Sequence, residues 1–283
     1  MNFIRRYPIP FYLIAAFTIT YVVGVGAYLL SSKVQALLGT HVPHVNDLVL
    51  KFGPSLAGLF MIWVVARRKG LQYVLGRLIR WRASFNLYLV AVGVPPATFL
   101  IALLLRGHGS ELSTVDPIRA LRVFGLQLAI NTFLGGGLSE EIGWRGFMLP
   151  QLCKRYTPFI ASFIVAVAWF AWHVPAYLLT NKAEADPILP FAVIVFPFSI
   201  VLAWLYYRSS ESLLLPVLLH ASINASSYSL LILIPQVTAS PAFQPANDWV
   251  LAATWFVLAL VILVKSGQQL GRNAALNGEN VRA

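Results

Sequence analysis

Glu140, Glu141 and Arg145 stand within Gly135-Gly136-Gly137-Leu138-Ser139-Glu140-Glu141-Ile142-Gly143-Trp144-Arg145, in a chain that is otherwise strongly apolar. A charged side chain near the middle of a membrane helix costs roughly 2.5–3.5 kcal/mol even on the mildest insertion scale, so such residues are held by a partner or used for chemistry. On a helix, residues four apart are neighbours and adjacent residues are not. The spacing therefore pairs Glu141 with Arg145 and leaves Glu140 pointing elsewhere without a local counter-charge. A carboxylate in that position can act as a general base. The same trio would also serve as an ion-pair cluster that fixes helix packing.

Two further apolar stretches carry groups of the same kind. Trp169-Phe170-Ala171-Trp172-His173-Val174-Pro175 places an imidazole deep in a hydrophobic run, with a proline expected to open the helix locally. Leu214-Leu215-Pro216-Val217-Leu218-Leu219-His220-Ala221-Ser222-Ile223-Asn224 puts His220 and Asn224 on one helical face. A His/Asn pair alone reads equally as interhelical hydrogen-bonding glue. Outside these three stretches the only comparable residue is Lys51, near the start of an apolar run.

The elements that position these residues are membrane helices. The chain has 283 residues, 58% of them hydrophobic and 11% charged, and a mean hydropathy of +0.73. This is the composition of an all-α, polytopic helical bundle. About twenty apolar residues cross the hydrocarbon core, and about eight stretches qualify: 9–30, 48–66, 85–105, 120–150, 158–179, 188–207, 213–234 and 249–264. The fourth is longer than one span and carries the acidic motif. Residues 1–265 read as one integral domain with a core at about 120–234, followed by a polar tail, 266–283, expected to be disordered.

Lysine and arginine concentrate in alternate connections, above all in Arg67, Arg68, Lys69, Arg77, Arg80 and Arg82, which predicts both termini on the cytoplasmic side. Topology thus accounts for the net charge of +11 without nucleic acid, and no basic tail with interleaved aromatics is present. In segment 67–82, Leu71, Val74, Leu75, Leu78 and Ile79 recur at helical spacing among the bases, predicting a helix on the anionic inner leaflet. The run after Arg6 reads as a first span rather than a cleaved signal. The single cysteine, Cys153, rules out an intramolecular disulfide and reads as a helix-end residue. Glu140 and His220 lie within about 8–13 residues of the inner boundary, roughly 12–20 Å at 1.5 Å per residue, so access from the cytoplasmic side is expected.

In order and spacing, Glu140-Glu141-Ile142-Gly143-Trp144-Arg145, His173 in its apolar span and His220-x-x-x-Asn224 resemble the three motifs of the CPBP intramembrane protease family. That family includes type II CAAX prenyl endopeptidases and bacteriocin-processing or self-immunity (Abi) proteins, and has been described as metalloprotease-like. The resemblance covers about 135–226, and one position departs from the family pattern: Trp169 stands where the family's second motif usually has phenylalanine. It implies an intramembrane endopeptidase acting on a membrane-associated or lipidated peptide. Glu140 and His173 would activate water, His220 and Asn224 would stabilise the oxyanion, and Glu141, Arg145 and Trp169 would support them. No cofactor is required in this reading.

A zinc ion held by Glu140, His173 and His220 with an open position for water is the alternative, although no H-E-x-x-H occurs. His41 and His44 read as a solvated loop. A proton-coupled transporter would be expected to show an internal repeat, and none is visible. A noncatalytic peptide-binding immunity or scaffold protein would share the same residues. The expected location is an integral position in a bacterial plasma membrane.

Overall fold

The computed structural model describes residues 2–26, 45–179, 188–238 and 249–272, and every regular element among them is helical. His41, His44 and the tail from 273 onward, together with the outer end of the first predicted span, lie outside the described residues. Among the described residues nine main helices carry the architecture: α1 (Pro8–Gly24), α2 (Val45–Leu78), α3 (Phe85–Leu105), α4 (Pro117–Phe133), α5 (Gly136–Gly143), α6 (Pro158–Leu179), α7 (Ile188–Arg208), α8 (Leu214–Leu233) and α9 (Trp249–Ser266). Among the described residues five helices, α3, α6, α7, α8 and α9, are long and apolar enough to cross a membrane, and α1 is a shorter apolar helix. The protein is therefore an integral, all-helical membrane protein.

Two boundaries differ from the sequence expectation, and one agrees with it. The second predicted span and the amphipathic helix of the basic segment are two helical stretches of α2 that meet at a kink at Arg67, where the backbone leaves the helical region (φ 54°, ψ −149°). Its amphipathic end is not simply laid on lipid. Leu75, Ile79 and Trp81 are exposed, but Arg77 is 5% exposed and pairs with Glu211. Arg77 Nη1 also donates to the Ser210 carbonyl at 2.6 Å, fastening this end of α2 to the turn that precedes α8.

The fourth stretch, 120–150, is two helices rather than one. Asp116 caps α4 by accepting from the Arg119 amide at 2.6 Å, with Pro117 in the first turn. The helix then ends at Leu134, and Gly135 is extended (φ −101°, ψ −155°). Three successive glycines weaken helix continuation, and the break lets α5 approach its neighbours at backbone distance. A Cβ on Gly137 would stand 3.0 Å from the Val217 carbonyl of α8, and one on Gly58 of α2 would stand 2.8 Å from Gly143 Cα. Small residues at helix crossings allow such approach inside a bilayer. Ser55 of α2 also donates to the Leu138 carbonyl at 2.7 Å.

The second difference is at Pro175, which does not break α6. The helix continues to Leu179, and the neighbouring Trp172 carbonyl accepts from the Tyr21 hydroxyl of α1. Around the short α5, α8 packs on both α4 and α5, α2 packs on α5, and α7 lies between α6 and α9.

Candidate active site

The motif helix α5 is buried over nearly its whole length, and the two carboxylates diverge as the helical period requires. Glu141 is fully buried. Its Oε1 accepts from Arg145 Nη1 at 3.0 Å and from His220 Nδ1 at 2.7 Å. A carboxylate accepts only, so the His220 proton sits on Nδ1 and its Nε2 faces away from Glu141. Arg145, 1% exposed, uses Nη2 to donate to Ser199 Oγ at 3.0 Å, and Ser199 in turn donates to the Ser162 carbonyl at 2.9 Å. Two charges thus tie α5 to α8, α7 and α6. Glu141 Oε2 has no hydrogen-bond partner among the described residues.

Glu140 turns to the other side. Its Oε2 accepts from the Trp169 indole N–H at 2.6 Å. The Trp169 ring also lies 4.9 Å from the Arg145 guanidinium carbon and 5.2 Å from the His220 ring, edge to face. Four residues on, His173 Nδ1 donates to the Trp169 carbonyl at 2.9 Å, leaving the Nε2 lone pair as the basic site of the neutral ring. Glu140, His173 and Asn224 line one cavity of about 260 Å³, together with Thr20, Tyr21, Lys51, Asn131 and Tyr228. A larger cavity of about 350 Å³ between α3, α4 and α8 contains no titratable side chain among its lining residues.

His220 and Asn224 converge at Gly136. A Cβ there would collide with His220 Nε2 and stand 2.8 Å from Asn224 Nδ2, so both nitrogens occupy the space a side chain would fill. We expect Gly136→Ala to lower turnover at least about 100-fold by displacing these groups, at an overpacking cost of about 1–3 kcal/mol. A turnover assay beside a thermal melt checks this.

All seven sequence-predicted site residues fall on or beside this centre, and three contributors were missed. Gly136 was not read as a site position, although its place in a glycine triplet beside the acidic pair was a usable signal. Ser199, a hydroxyl between Phe198 and Ile200, was a weaker one. Lys51 was noted as a cation near the start of an apolar run but not assigned to the site. Among the described residues, no three His, Cys, Asp or Glu side chains lie together so as to hold a metal ion.

A membrane-buried helical bundle with a carboxylate, an imidazole and an amide lining one cavity, and a second imidazole against Gly136 at its edge, has the parts of an intramembrane hydrolase. Residues 122–226 match the family described as type II CAAX prenyl endopeptidase Rce1-like. Over 242 residues the chain is 25% identical to CAAX prenyl protease 2 of Methanococcus maripaludis, which covers 77% of this chain and 83% of that protein. These similarities bear out the resemblance carried by the three motifs, and the chain is a CAAX-protease-like membrane hydrolase.

Proposed function

We propose that the protein is an intramembrane endopeptidase that cleaves a membrane-associated protein near a lipidated C-terminal cysteine. The observation that carries this reading is the shared cavity, which brings Glu140 and His173 to the same space as Asn224 while Glu141 and Arg145 neutralise each other behind it. The substrate class is supported by the family of residues 122–226, named for the C-a-a-X ending on which prenyl groups are placed.

In the reaction, a water held between Glu140 and His173 Nε2 gives its proton to the Glu140 carboxylate as its oxygen attacks the scissile carbonyl carbon. The oxyanion accepts a hydrogen bond from Asn224 Nδ2. It accepts a second from His220 Nε2 when that ring is doubly protonated, a form whose charge Glu141 offsets at 2.7 Å. Collapse of the tetrahedral intermediate breaks the C–N bond, and protonated Glu140 returns its proton to the leaving amine.

The test is cleavage of quenched C-a-a-X peptides, with and without a farnesyl group, by the detergent-purified chain and by Asn224→Ala, each with and without a zinc chelator. The proposal expects a farnesyl-dependent rate that survives chelation and falls about 10²–10³-fold in the variant. Loss of the rate on chelation would replace glutamate-based activation with a metal-assisted step. Absence of cleavage by well-folded wild type would sink the protease reading in favour of a binding role.

A further inference from the structure

We propose that Lys51 forms the subsite for the substrate's terminal carboxylate, an inference that rests on the endopeptidase reading above. Lys51 belongs to α2, and its side chain lines the same cavity as Glu140, His173 and Asn224. Among the described residues lining that cavity it is the only one with a fixed positive charge. The other cation close to the centre, the Arg145 guanidinium, is 1% exposed and committed to Glu141 and Ser199. Lys51 is itself exposed, and no described carboxylate pairs with it. A lysine within an apolar span that neither pairs with a described acid nor packs as core calls for a ligand of opposite sign.

The chemistry of that ligand follows from the reaction. Cleavage after the modified cysteine of a C-a-a-X ending leaves three residues on the leaving side. Extended, three residues span at most about 10–11 Å and end in a carboxylate. Such a fragment carries one negative charge that the bilayer interior does not solvate, and the cavity that holds the scissile bond offers Glu140, of the same sign, and Lys51, of the opposite sign. With the bond at Glu140, the carboxylate therefore goes to Lys51. The site then measures distance from the chain end: a peptide whose terminus lies further away, or is amidated, brings no charge to Lys51.

The experiment compares two peptides of one sequence, one ending in a free carboxylate and one in a carboxamide, on the full chain in detergent. Cleavage is followed by kcat/KM, and binding is measured separately on the Glu140→Gln protein. Wild type is expected to prefer the free acid by about tenfold or more, the range of a charge-assisted hydrogen bond, with the difference residing in KM. The ratio should collapse to about one in Lys51→Met and persist in Lys51→Arg, which also controls for folding.

An acid preference that is absent in wild type, or unchanged in Lys51→Met, overturns the subsite. If no peptide is cleaved but the binding preference exists and depends on Lys51, the subsite stands and the endopeptidase reading falls. Equal cleavage of acid and amide by both proteins gives the reverse result.

Discussion

Glu140→Gln is expected to reduce peptide hydrolysis by about 10²–10⁴-fold, the range for loss of a positioned general base, while leaving the melting temperature near that of wild type. The substitution keeps the shape of the side chain and an oxygen that can still accept from the Trp169 indole N–H, a contact of 2.6 Å in the native protein. What it removes is the ability to take and return a proton. Trp169→Phe probes the same carboxylate from the other side. It restores the residue usual in the related motif, keeps an aromatic ring and deletes the N–H together with part of the indole surface. Deleting the donor leaves Glu140 without the contact that orients it, so kcat should fall by about tenfold with little change in KM. A variant that merely loosened packing would lower the melting temperature instead. Turnover and thermal melts of both proteins check the pair of expectations.

Glu141→Ala, one position along, should fail differently. The Arg145 guanidinium is 1% exposed, and its nearest carboxylate oxygen is Glu141 Oε1 at 3.0 Å. Breaking a buried pair by removing one partner typically costs about 3–5 kcal/mol, because the remaining charge is left uncompensated. The variant is therefore expected to lose most of its folded population, as read by thermal melting in detergent. Replacing both partners together, as in Glu141→Leu with Arg145→Met, removes both charges and should recover much of that stability. It should not recover activity, because His220 would still lack the acceptor that fixes its Nδ1 proton at 2.7 Å. Recovery of turnover in the double variant would show that Glu141 is dispensable for orienting His220.

The contrast between these neighbours shows which parts of the site are written locally in the sequence. The Glu141–Arg145 pair and the shared face of His220 and Asn224 depend only on the helical period, and both were legible from spacing. The hydrogen bond from Trp169 to Glu140 and the grip of Glu141 on His220 depend on how α6 and α8 are rotated and set against α5, which no local period specifies. From the sequence, Trp169 could be read only as an aromatic that packs. Likewise, the glycine triplet announced a weak helix without saying that His220 and Asn224 would occupy the missing side-chain volume at Gly136. The long stretch 120–150 was apolar enough to hide its break, since hydropathy does not distinguish one helix from two in line. Pro175 misled in the opposite direction: its local signal is strong, yet the tertiary setting keeps α6 continuous.

The ion pair between α5 and the π-helical turn that continues it, Trp144–Met148, also bears on how the chain enters the bilayer. Glu141 and Arg145 are four residues apart on this continuous helical stretch, whereas Ser199 and His220, their other partners, come 54 and 79 residues later in the chain. If the helices are released to lipid in the order of synthesis, α5 reaches the membrane before α7 and α8 exist to receive its charges. Each charge alone would resist that step by roughly 2.5–3.5 kcal/mol. Because the two neutralise each other within a single turn, the segment is inserted as a dipole rather than as two ions. The later helices then close around a centre whose electrostatic cost has already been met.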